Sequence, residues 1–182
     1  PSTTNNLQTH ERTHLESIPV NILLDEVISG KNRDSLVYRP KDKLVYIYSA
    51  GDVTYGNMNM QADFMRVELG SKQLYATGVA DTTGNRTRPV FAESGASYTM
   101  DSITYNFESG KAKIQGVATQ QGDGFLIGDD VKKMPDNTIN INSGKYTTCE
   151  QTDHPHFYLQ LTKAKVIPNK KVIIGPAYMV ME

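Results

Sequence analysis

A chain of 182 residues with 38% hydrophobic and 21% charged side chains can bury a core, which excludes disorder throughout. With 19 basic and 20 acidic residues the net charge is −1, so no long-range field draws the chain to nucleic acid or to an anionic membrane surface. No segment approaches the ~20 consecutive apolar residues of a spanning helix, and Pro1 to Leu15 is too polar for a secretory signal.

Residues 1–19 read as a polar, flexible tail, and residues 20–182 as one folded domain. Beyond the tail, apolar residues sit two apart, the spacing that places side chains on one face of a strand. Leu36 and Tyr38, Val45 and Ile47, Met65 and Val67, and Leu74 and Ala76 come first. Ile103, Tyr105 and Phe107, then Ala112 and Ile114, and Ile139 and Ile141 follow. Turn signals at Pro40, Gly70, Ser109-Gly110, Pro135 and Pro168 separate them, and no window carries a helical period. Ten Tyr, five Phe, no Trp and 14 Gly fit the same all-β reading.

The runs repeat. Asp34, Asp63, Asp101 and Asp129 each precede an apolar residue two positions on, and a small residue closes each unit at an offset of 15 (Ser49 − Asp34, Gly78 − Asp63, Gly116 − Asp101) or 14 (Ser143 − Asp129). The Asp positions step by 29 (63−34), 38 (101−63) and 28 (129−101), so the second unit carries about ten extra residues, read as an insertion loop over about 80–97. A pair of short strands cannot bury its apolar face alone, but stacked pairs can. The expected fold is a solenoid-like β-structure of V-shaped two-strand rungs, whose facing walls enclose an elongated apolar slot. Its walls would carry Leu36, Tyr38, Val45, Ile47, Met65, Val67, Leu74, Ile103, Tyr105, Phe107, Ile114, Ile139 and Ile141. Both ends of such a stack expose unpaired edges that invite another stack.

Catalysis finds little support. Stacked in one column, the four aspartates would lie about 4.8 Å apart, close to the carboxylate pair of a retaining glycosidase. An active site is an exception within a repeat, however, and these recur in every unit, as structural turn residues do. His10 with His14 and His154 with His156 lack a supporting third ligand, so no metal and no cofactor is expected. Gly122-Asp-Gly124 lacks the residues of a phosphate loop. Arg86, Arg88, Lys132 and Lys133 read as solvated loop charges more readily than as contacts to an anionic head group. The single Cys149 is either a buried thiol or half of a bridge to something outside these residues.

Several segments carry a resemblance. Gln61-Ala-Asp63, Tyr75-Ala-Thr-Gly78-Val79 and Asp101-Ser-Ile-Thr-Tyr-Asn-Phe107 resemble the OstA-type repeats of lipopolysaccharide transport proteins. Thr119-Gln-Gln-Gly122, Ser143 to Cys149, Pro155-His-Phe157 and Ala164 through Tyr178 resemble the periplasmic N-terminal domain of the outer-membrane assembly (LptD) family, in its Bacteroidetes form. The resemblance covers about residues 28–182. It implies a non-enzymatic β-jellyroll that holds lipopolysaccharide by its acyl chains at the periplasmic face of the outer membrane. It further implies edge-to-edge stacking with a periplasmic bridge protein of the same fold, and delivery to a C-terminal β-barrel with its plug lipoprotein. Cys149 matches a cysteine that pairs with the barrel in relatives; the second N-terminal cysteine of those relatives is absent here. A soluble bridge of the same fold, a carbohydrate-active solenoid using Asp63 and Asp101, and an adhesive solenoid are the alternatives.

Overall fold

The computed structural model describes residues 28–181, except 32, 122, 152, 153, 168 and 169. The tail expected over 1–19 lies outside the described residues. The fourteen strands described form one antiparallel sheet, and no helix is present among the described residues. They are β1 (Ser29–Lys31), β2 (Ser35–Arg39), β3 (Leu44–Tyr55), β4 (Met58–Glu68), β5 (Gln73–Thr77), β6 (Val90–Glu93) and β7 (Ala96–Thr99). The series continues with β8 (Ser102–Asn106), β9 (Ala112–Gln121), β10 (Gly124–Lys133), β11 (Ile139–Thr147), β12 (Phe157–Ile167), β13 (Lys171–Ile174) and β14 (Ala177–Met181).

The sheet is folded into two walls, and the fold line runs through the middle of the long strands. The first half of β3 pairs with β2 and with the second half of β4, while its second half pairs with β1 and the first half of β4. Likewise β4 pairs with β5 through one half and β6 through the other, and β12 pairs with β13 and β14. The V is therefore made by bending single strands. The two strands of each sequence repeat lie side by side in the same wall, which differs from the rung expected from the repeat. Wall A holds β2, β5, β8, β13 and the halves paired with them; wall B holds β1, β6, β7, β14 and the remaining halves.

Register places Asp34, Ser49, Asp63, Gly78, Asp101, Gly116, Asp129 and Ser143 in succession along the fold line. Small residues alternate with aspartates there because the chain needs an unusual backbone at the bend: Ser49 (φ 60), Ala50 (φ 48), Gly116 (φ 62) and Ser143 (φ 58) are left-handed. A Cβ on Gly116 would stand 1.8 Å from Asp101 Oδ2. The bend also shifts the side-chain alternation. In β4 the buried positions are Met58, Met60 and Ala62, then Met65 and Val67; in β10 they are Gly124, Leu126 and Gly128, then Val131 and Lys133. Each strand thus keeps an apolar face inward on both sides of the line, and each large side chain buried this way contributes about 1.5–3 kcal/mol.

The segment expected as a loop over 80–97 holds more structure than that. Residues 78–89 form a loop, but β6 and the start of β7 follow and complete wall B beside β4 and β9. Phe91, fully buried against Tyr98 and Tyr105, supplies the energy that makes Val90–Glu93 a strand.

Candidate functional site

The interior between the walls is the apolar core of the described residues. Val45, Ile47, Met65, Val67, Leu74, Ile103, Tyr105, Phe107, Ile114, Ile139 and Ile141 are all buried there, every one of them on wall A. Leu36 is half-buried and packs against this core. Tyr38 stands opposite Val45 in register, yet it is 51% exposed because β2 is the edge of wall A. Wall B is not apparent from a simple alternation in the sequence. Val53, Met58, Met60, Phe91, Met100, Leu126 and Leu161 are its most buried members. The signal that reveals them is the shift in alternation at each aspartate or small residue.

Four of the seven methionines, Met58, Met60, Met65 and Met100, lie fully buried in this interior. Their unbranched thioethers fill irregular space and adapt to a changed neighbour at low cost. The walls touch: ring centroids are 4.9 Å apart for Tyr55 and Phe107, and 5.7 Å for Phe91 and Tyr105. Beneath β2, an apolar void of about 30 Å³ remains, lined by Leu36, Val45, Ile47, Val53 and Val67. Any guest wider than that void between the walls therefore requires them to part.

On the side away from the fold line the hairpin turns of both walls converge. Here Lys133, at the end of β10, reaches across to Glu93, at the end of β6, with Nζ 2.5 Å from Oε2. Lys133 is 3% exposed, which overturns its reading as a solvated loop charge: groups from both walls, not water, surround its ammonium. Its Nζ lies 3.4 Å from the Gly110 carbonyl oxygen, 3.5 Å from that of Met134, and 5.9 Å from the centroids of Phe91 and Tyr105. The Tyr105 hydroxyl lies 3.5 Å from Glu93 Oε1. Burial, and then the neighbouring Glu93 charge, push the Tyr105 phenol up to about 12.

That shift has a sign that can be measured. The folded chain holds the Tyr105 proton while the unfolded chain releases it near its ordinary value of 10.0, so this residue's stabilisation is complete below pH 10 and is lost as pH rises towards about 12. The melting temperature is expected to fall over that interval, and Tyr105→Phe to flatten the fall. An identical alkaline slope in the variant would contradict the assignment.

The aspartates lie outside the interior, at the fold line. Asp63 Oδ1 accepts from the Ala50 N–H (3.3 Å) and Oδ2 from the Thr87 hydroxyl (2.5 Å), while Asp101 Oδ1 pairs with Arg88 Nε at 3.2 Å. Because a small residue separates successive aspartates, Asp63 and Asp101 stand two strand spacings apart, about 10 Å, rather than one. Their contacts fasten the bend and the 78–89 loop. Arg86 acts likewise, its Nε donating to the Gly78 carbonyl at 3.2 Å. Lys132 is exposed on the outer face.

Cys149 follows β11 and is half-buried, its Sγ 3.7 Å from His156 Nδ1. Backbone N–H groups of His156 and Gln151, then the His156 ring, hold its thiol below the ordinary value and favour the thiolate. His154 is exposed, and no group of three or more candidate metal ligands occurs among the described residues.

At both ends the sheet stops at open edges: β1 and β2 pair only with β3, and β13 and β14 only with β12, among the described residues. The C-terminal edge carries exposed Val172, Ile173, Ile174, Tyr178, Met179 and Met181.

No family profile and no curated protein matches the chain. Among solved structures, one similar chain is LptH, the LptA homologous periplasmic component of the conserved lipopolysaccharide transport device from Pseudomonas aeruginosa. It is 11% identical, with a TM-score of 0.27, over 85% of this chain and 94% of that one.

Proposed function

We propose that the chain is a non-enzymatic conduit for lipopolysaccharide, whose acyl chains lie between walls A and B. The observation that carries this reading is the continuous apolar interior held between two halves of one sheet and filled in part by methionines. Apolar contact at about 25 cal/mol per Å² retains a chain without fixing its register, as transport requires. The OstA-type motifs quoted above point to the same ligand. In this reading the domain is periplasmic, at the outer membrane. It receives lipopolysaccharide from a bridge of the same fold stacked on the β1–β2 edge, and passes it from the β13–β14 edge towards an outer-membrane barrel and its plug lipoprotein, with Cys149 bridged to the barrel.

A photo-crosslinker at Val67 or Tyr105 is expected to capture lipopolysaccharide in living cells, and one at Arg66, on the outer face, to capture none. Capture from Arg66 alone would sink the proposal. The two open edges also favour a second reading, a soluble bridge that stacks at both ends. The gene beyond Glu182 separates the two: several hundred residues of alternating strands mean the assembly protein, an early stop the bridge.

A further inference from the structure

Lys133 is the only buried charged side chain among the described residues that sits inside the apolar interior, and it sits at one particular level. The fold line is lined by aspartates and small residues; Lys133 lies at the opposite side, where the turns after β6 and β10 meet. An amphiphile with its chains between the walls and its head in water has its polar boundary at that side. A buried ion pair is a poor way to gain stability, because the cost of desolvating two charges is seldom recovered and apolar side chains would fill the same space as well or better. Binding accounts for a cation there.

The geometry points to Lys133 as the anchoring cation for a phosphate carried by the head of the amphiphile, with Glu93 holding the ammonium until the phosphate displaces it. This rests on the conduit reading above. A phosphate monoester carries up to two negative charges and three acceptor oxygens, so it outcompetes a single carboxylate for one ammonium. The carbonyls of Gly110 and Met134 belong to turns of wall A, as Lys133 does, and keep the ammonium in place once Glu93 has left with wall B. Tyr105, also on wall A, stays protonated at neutral pH and has a hydroxyl free to donate to the phosphate when Glu93 moves away. Displacement of Glu93 also removes the ionic contact that ties the two walls together on this side, so binding of the head and parting of the walls are one event.

The test compares two probes, bis-phosphorylated lipid A and its phosphate-free counterpart with the same acyl chains, each in detergent micelles. The readout is photo-capture from a crosslinker at Met65. The wild-type chain is expected to prefer the phosphorylated probe on the order of tenfold, the scale of one charge-assisted contact. Glu93→Gln with Lys133→Met, which leaves no unpaired charge, is expected to capture both probes about equally and to retain capture of the phosphate-free one; Lys133→Arg keeps the preference. An unchanged preference in the double variant, with its fold verified by circular dichroism, overturns the role of Lys133 while leaving the conduit standing. Failure of the wild-type chain to capture either probe overturns the conduit, and this proposal with it.

Discussion

Replacing Glu93 by Leu alone is expected to cost about 3–5 kcal/mol, because it strands the Lys133 ammonium between the walls among Phe91 and Tyr105. Pairing the same change with Lys133→Met is expected to recover most of that loss, and to leave a chain as stable as the original or more so. The asymmetry follows from the physics of a buried pair: each charge is tolerable only in the presence of the other, whereas two apolar side chains need no partner. Urea unfolding of both single variants and the double gives the coupling directly. Additive losses would mean that Lys133 finds water or another acceptor when Glu93 is gone, and would remove the physical basis for treating the pair as a tie between walls.

The second large effect is expected at Gly78, at the start of the 78–89 loop. A Cβ there would stand 1.6 Å from the Thr87 carbonyl oxygen and 2.5 Å from its carbonyl carbon, and backbone cannot swing aside as a side-chain tip can. Gly78→Ala therefore has to lift the loop. The lift sacrifices the hydrogen bond from the Thr87 hydroxyl to Asp63, that from the Thr87 N–H to the Val79 carbonyl, and that from the Val79 N–H to Thr87 Oγ1. A loss of at least about 2 kcal/mol is expected, with hydrogen exchange accelerated at Val79 and Thr87 while the amides of β9 to β12 keep their protection. Uniform acceleration through the whole sheet would instead show that this corner is part of a single cooperative unit.

The residues differ in how far they can be read in advance, for reasons that are physical. The fold line is local information: an aspartate followed fifteen positions later by a small residue reports a strand, a turn and a returning strand, and that is how Asp101 and Gly116 stand across from one another. Wall A is legible for the same reason, since Val45, Ile47, Met65 and Val67 obey an unbroken alternation. Wall B is encoded in the same strands, but its alternation is offset, and a reader counting by twos loses Met58 and Met60 at Asp63 unless the bend is recognised as a change of phase. The loop expected over 80–97 conceals β6 because Val90–Glu93 is four residues long and becomes a strand only through its pairing with Met58–Gln61. Lys133 carries no local signal of its role. A lysine at the end of a strand reads as solvated, and its partner Glu93 lies forty positions away (133−93) in the other wall.

Since β3, β4, β9, β10, β11 and β12 each run through both walls, covalent chain crosses the fold line again and again. Neither wall can slide past the other along the stack without breaking those strands, and neither can shear without unpairing its neighbours. What is left is a single soft degree of freedom, a change in the dihedral angle between the walls about the line of bends, much as a book opens about its spine. Separation forced at one rung is then shared by the rungs beside it, so a bulky guest at one end widens the path ahead of it before it arrives.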